Sequence, residues 1–170
     1  KSLLTIDGEP LIARICRQIA PHFSELMISS NTPETVAFLG YPVVTDPTPH
    51  CGPLMGIASA ISHAQEELLF VLGCDIPDID LSYVRSLFTL AQTADAVVPV
   101  SADGRPDPLF AFYRRTALPA ARAALKNGQR RVIAMLDGLK VVHPPMAARN
   151  YANLNTPEDV RLWQERRSHD

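Results

Sequence analysis

The chain has 170 residues, 46% of them apolar and 20% charged, with a formal net charge of −2. That is enough for one domain, residues 1–170, with a proper core, and it is the composition of an ordinary soluble globular protein. Nothing basic points to nucleic acid, and no apolar run reaches the ~18 residues that would span a membrane.

Cys16, Cys51 and Cys74 are odd in number and never spaced as CxxC. They predict neither a disulfide framework nor a zinc site, and they suit a reducing, cytoplasmic setting. The chain opens Lys1-Ser2-Leu3-Leu4, without an initiator methionine and without the pattern of a signal peptide.

In chain order, Leu3 to Ile6 is a short apolar run closed by the turn Asp7-Gly8. Pro10 suits the first position of a helix whose apolar face is Leu11, Ile12, Ile15 and Ile19, with Pro21 as its stop. Leu26 to Ser30 reads as a strand with Asn31 at its carboxyl end. Thr32-Pro33-Glu34 opens a short helix to Leu39. Pro42 to Thr45 is a brief strand, ended by Asp46-Pro47.

Residues 46–53 form a proline-rich loop that can be neither helix nor central strand. It leads into a helical stripe of Leu54, Ile57, Ala58 and Ile61. Gly52 ahead of that helix is read in two ways: it lets backbone N–H groups approach an anion, or it is a plain tight turn.

Leu68-Leu69-Phe70-Val71-Leu72 is five apolar residues without alternation, followed by Gly73-Cys74-Asp75-Ile76-Pro77. Such a run predicts a strand buried on both faces, central in a mostly parallel sheet. Asp75 then sits at the carboxyl end of a rigid strand, where open α/β sheets bind ligands and where a carboxylate can hold a divalent cation against phosphates. The alternative is a turn cap. Cys74 reads as a small buried residue and not as a nucleophile.

Leu81, Val84, Leu87 and Phe88 mark a helix, and Ala96 to Val100 a strand. A polar loop follows from Ser101 to Pro108, then a strong strand from Leu109 to Tyr113. Leu118, Ala121, Ala124 and Leu125 form a helix ending near Asn127-Gly128. Val132, Ile133 and Leu136 point inward from a short segment opened by Arg130 and Arg131, and Leu139 to Val142 is a last strand. Thr156-Pro157-Glu158-Asp159 resembles a capping box with Asp in place of Glu, which fixes Asn153 and Asn155 just ahead of a helix through Trp163.

About six strands alternate with as many helices. The predicted fold is therefore α/β: one three-layer α/β/α Rossmann-like domain with a mostly parallel central sheet. Asn31, Asp46 and Asp75 each follow a strand. If the strands are parallel neighbours, the three side chains share one edge, the arrangement of a nucleotide pocket.

The runs Lys1-Ser2-Leu3-Leu4, Asp7-Gly8-Glu9-Pro10-Leu11-Ile12, Cys51-Gly52-Pro53-Leu54-Met55-Gly56 and Gly73-Cys74-Asp75-Ile76-Pro77 resemble the nucleotidyltransferase superfamily. Arg105-Pro106-Asp107-Pro108, Asn127 to Val132 and Asn153 to Asp159 are most similar to the molybdenum cofactor guanylyltransferases within it. The resemblance covers essentially the whole chain. Members of that family begin with a strand and a glycine-rich phosphate loop that ends in a lysine. Lys1 matches this lysine, so the strand and loop are expected ahead of residue 1.

The resemblance implies a Mg²⁺-dependent transfer of GMP from GTP to molybdopterin with release of pyrophosphate. It makes Asp75 the metal ligand and, with Lys1, a catalytic residue. Lys1, Asn31, Asp46, Gly52, Pro53 and Asp75 become the nucleotide site, and Asp46 the acceptor for the guanine N1–H and N2–H₂ donors. Arg130, Arg131, Asn153 and Asn155 fall on the pterin side. Proteins that deliver molybdopterin or chaperone molybdoenzymes are implied partners. The alternatives are a sister enzyme that uses CTP or activates a sugar phosphate, and a non-catalytic nucleotide-binding domain.

Overall fold

The structure, a computed structural model, describes residues 4–146 and 154–167. Lys1 and Asn153 lie outside the described residues. The elements are β1 (Thr5–Ile6), β2 (Glu9–Pro10), α1 (Leu11–Ile19), β3 (Ile28–Ser29), β4 (Val43–Val44), α2 (Pro53–His63), β5 (Leu68–Leu72), α3 (Leu81–Ala91), β6 (Ala96–Val97), β7 (Phe110–Arg114), α4 (Leu118–Lys126), β8 (Val141–Val142) and α5 (Pro157–Arg167).

The helices follow their apolar stripes. Leu11, Ile12, Ile15, Cys16 and Ile19 are the buried side of α1. Its start is one residue later than expected. Asp7 and Gly8 both take positive φ, and the hairpin they close pairs β1 with β2, so Pro10 belongs to a strand. The helix expected at 33–39 is two 3₁₀ turns, Pro33–Thr35 and Ala37–Leu39. The capping box at α5 forms as read: Thr156 Oγ1 accepts from the Asp159 N–H at 3.2 Å, and Asp159 Oδ2 accepts from the Thr156 N–H at 2.8 Å.

The fold is α/β with a mixed sheet. The larger sheet has four strands in the order β5-β7-β6-β8, and β3 and β4 form a separate parallel pair. β6 and β8 are parallel, but β7 is antiparallel to both β5 and β6. The expected mostly parallel sheet is thus a mixed one: β5, β6 and β8 point the same way, and a single reversed strand, β7, lies among them. Ala96–Val97 and Phe110–Arg114 are joined by a loop with no helix, and a parallel pair needs a crossover.

The strand buried on both faces is β7 and not β5. Phe110 and Phe112 pack into one core with α1, α3 and α5, through Leu11, Leu87 and Trp163. Ala111 and Tyr113 pack into a second core with α2 and α4, through Ile61 and Ala121. These two cores make the sheet the middle of three layers. The five residues of β5 are only half-buried, and β7 is their partner in the sheet. β5 is thus an edge strand among the described residues, not the central one. No helix of the described residues is long and apolar enough to cross a membrane.

Candidate functional site

Two pairings bring the polar strand ends together. In the parallel pair, Ser29 stands opposite Val44. Asn31 and Asp46, each two residues further on, are therefore side by side. Their side chains and backbone interlock: Asn31 Nδ2 donates to Asp46 Oδ2 at 3.0 Å, and the Asp46 N–H donates to Asn31 Oδ1 at 2.8 Å. The other carboxylate oxygen, Asp46 Oδ1, accepts from Ser59 Oγ at 3.2 Å. Ser59 comes from α2, which lies close because residue 56 is glycine: a Cβ there would stand 3.1 Å from Ser29 Oγ.

Gly52 and Pro53 begin α2. Gly52 has φ 75° and ψ −177°, a region essentially reserved for glycine. A Cβ at Gly52 would be 3.0 Å from the Arg130 carbonyl oxygen, which accepts from the Leu54 N–H at 3.4 Å. The next N–H, of Met55, donates to the Gly52 carbonyl at 3.1 Å. These N–H groups have acceptors within the protein, so of the two readings of Gly52 the close turn is the better one. The same contact sets Arg130 and Arg131, both exposed, beside the start of α2.

At the end of β5, Asp75 is half-buried. Its carbonyl accepts from the Leu154 N–H at 2.7 Å, which draws the segment ahead of α5, with Asn155, to the same place. The residues after it are held on α1. Arg14 Nη2 meets Asp78 Oδ1 at 2.7 Å, and Gln18 Nε2 donates to the Pro77 carbonyl at 2.9 Å.

Sequence reading left Asp107 out of the site. The Gly73 N–H donates to the Leu109 carbonyl at 2.6 Å, and Asp107 Oδ1 accepts from the Leu109 N–H at 3.0 Å. Those two bonds set a second carboxyl beside Asp75. Burial pushes the Asp107 carboxyl above the usual aspartate range; the Leu109 N–H opposes this and the Asp75 carboxylate adds to it. Tyr113, whose hydroxyl donates to the Pro108 carbonyl at 2.9 Å, steadies the same loop. The available signal was the strand-loop-strand run from Ala96 to Tyr113, which has to turn back on itself beside β5.

A groove of about 400 Å³ passes close to both centres, although none of Asp46, Asp75 and Asp107 lines it. It runs between β3 and β5, and its lining includes Gly56, where a Cβ would be 3.9 Å from Asp46 Oδ1, and Gly73, where one would be 2.8 Å from Asp75 Oδ1. A larger cavity, about 610 Å³, lies by His22, Glu66 and Leu68, at the opposite end of β5. It holds none of the strand-end groups described above. Among the described residues no three His, Cys, Asp or Glu side chains form a ready metal cage.

Residues 1–141 match the family described as the MobA-like NTP transferase domain. The chain belongs to that family. It is a nucleotidyltransferase. It is similar to a molybdenum cofactor guanylyltransferase of Serratia proteamaculans, 30% identical, across 97% of this chain and 85% of the relative. A probable molybdenum cofactor guanylyltransferase of Methanothermobacter thermautotrophicus is 29% identical, across 95% of this chain and 89% of its own. In fold the chain is similar to the molybdopterin-guanine dinucleotide biosynthesis protein A of Archaeoglobus fulgidus, with TM-score 0.82 at 22% identity, over all of this chain and 91% of that one. The 2-C-methyl-D-erythritol 4-phosphate cytidylyltransferase of Thermus thermophilus shares the fold as well, with TM-score 0.75 at 16% identity, over 99% and 94%.

Proposed function

We propose that this nucleotidyltransferase acts in molybdenum cofactor biosynthesis and transfers GMP from GTP to molybdopterin. The observation that carries the reading is the pair of acid centres at the strand ends: Asp46, held by Asn31 and Ser59, and Asp75 with Asp107 beside it. The names of the relatives at about 30% identity support the same substrate pair.

Asp46 accepts the guanine N1–H and N2–H₂ donors, for which cytosine has no equivalent pair. Gly52 and Pro53 shape the wall beside the base. Lys1 meets the triphosphate as a point charge. Arg130, Arg131, Asn153 and Asn155 receive the anionic pterin. A phosphate oxygen of molybdopterin forms a bond to the α-phosphorus of GTP, the bond from that phosphorus to the bridging oxygen breaks, and pyrophosphate leaves. The attacker is already an anion, so the protein's work is alignment and charge placement, with no covalent nucleophile needed.

The donor set at the strand end suits Mg²⁺. Mg²⁺ takes oxygen ligands and is bound by one or two carboxylates together with substrate phosphates, not by an all-protein cage. Asp75 would hold it, with Asp107 alongside, and when bound it would neutralise charge on the phosphates.

A thermal-unfolding screen of the full-length protein with nucleotides and Mg²⁺ tests the reading. GTP at a hundredfold excess over its Kd should raise stability by about 2.7 kcal/mol, with CTP and ATP well below it. Equal shifts from GTP and CTP would contradict the base assignment.

A further inference from the structure

Ser59 is the one residue with a hydroxyl, amide or charged side chain that is buried among the described residues, apart from tyrosine; it is 5% exposed. Helical serines commonly return their hydroxyl to the carbonyl four residues back. Ser62, one turn on, does so, donating to the Ala58 carbonyl at 2.8 Å. Ser59 does not. Its hydroxyl leaves the helix and donates to Asp46 Oδ1 at 3.2 Å, while Asn31 donates to Oδ2 at 3.0 Å.

The carboxylate of Asp46 is thus held at both oxygens from two different elements, α2 and the turn after β3. Each carboxylate oxygen has two lone pairs, and one on each is used in this clamp. Among the described residues no further donor meets either oxygen, which leaves a second lone pair on each. A bidentate acceptor serves two neighbouring donors only if its plane is fixed, because rotation moves one oxygen out of line.

We propose that Ser59 is a positioning residue for base selection, which orients the Asp46 carboxylate so that it meets the guanine N1–H and N2–H₂ donors together. This rests on the reading of Asp46 as the base acceptor given above. Gly56 belongs to the same contact between α2 and β3: a Cβ there would stand 3.1 Å from Ser29 Oγ and 3.9 Å from Asp46 Oδ1.

The test is calorimetric binding of GTP and ITP, with Mg²⁺, to the full-length protein, its Ser59→Ala and Ser59→Cys variants, and the same changes in an Asp46→Asn background. ITP keeps N1–H and lacks the 2-amino group. The wild type should prefer GTP. Equal binding of the two by the wild type would overturn the Asp46 reading itself. Given that preference, both Ser59 variants should lose about tenfold of it, the scale of removing an outer hydrogen bond from a ligand-holding group. In the Asp46→Asn background they should change it no further. A GTP-to-ITP ratio that survives in Ser59→Ala and Ser59→Cys, or affinities for both nucleotides that fall in parallel, would overturn the positioning role while leaving the Asp46 reading standing.

Discussion

At the scale of single residues, the site depends on groups whose positions are over-determined. Gly52 illustrates the backbone side of this. Its φ of 75° with ψ of −177°, and a carbonyl 3.0 Å from where a Cβ would be, leave no room for any other residue. Gly52→Ala should cost about 1–3 kcal/mol in chemical denaturation and weaken nucleotide binding, because the strain falls on both the start of α2 and Arg130. A variant with unchanged stability would show that the turn can relax. Asp46 illustrates the side-chain side. Its neighbour Asn31 was legible in the sequence, because both follow short apolar strands. Ser59 was not legible, because a serine on the apolar stripe of a helix looks like any small core residue until its partner across the chain is known.

At the scale of elements, the ends of neighbouring strands are tied together by a few polar bonds, also at the sheet edge opposite the site. Asp95, at the start of β6, is one such tie. It accepts from the Thr116 hydroxyl that follows β7 and, at 2.9 Å, from the Lys140 N–H that precedes β8. The Thr116 hydroxyl first, then the Lys140 N–H, hold its carboxyl below the usual aspartate range. A lowered native pKa means that the stabilisation is present above the unfolded value, about 3.9, and is lost as pH falls through the native value. Asp95→Asn should therefore lower the thermal midpoint at pH 7, and the gap to wild type should close in strong acid. A gap that persists at low pH would assign the effect to packing.

The strands show where sequence reading stops. The helices, the Asp7-Gly8 turn and the Thr156–Asp159 capping box follow from local chemistry and were readable. The order of the strands was not. Leu68–Leu72 and Phe110–Arg114 are both unbroken apolar runs, and periodicity alone assigns either one to the middle of the sheet. Phe110 and Phe112 on one face, with Ala111 and Tyr113 on the other, make β7 the strand that separates the two cores. Only the helix-free link between Ala96–Val97 and Phe110–Arg114 hinted that this strand runs backwards. The same reversal is what sets Asp107 beside Asp75, so the omission of Asp107 and the unread direction of this strand have one cause.

At the scale of the whole molecule, the proposed site draws on groups from four parts of the chain: Asn31 and Asp46 after the β3–β4 pair, Ser59 on α2, Asp75 after β5, and Asp107 ahead of β7. No local segment contains a complete site, so binding and chemistry depend on the packing of α2 and β7 as much as on the acids themselves. Arg14 shows how far this reaches. It bonds Asp78 at 2.7 Å and lies 5.5 Å from the Trp163 ring, linking the loop after Asp75 to α1 and α5.

The most direct measurement is pyrophosphate release by the full-length protein with molybdopterin and Mg²⁺, comparing GTP with CTP and wild type with Asp75→Ala. GTP should support turnover with CTP at least about tenfold slower, and Asp75→Ala should lose on the order of 100- to 1,000-fold while keeping its unfolding midpoint. Equal use of GTP and CTP, or turnover retained in a folded Asp75→Ala, would contradict a guanine-reading acid and a metal-holding acid working in one site.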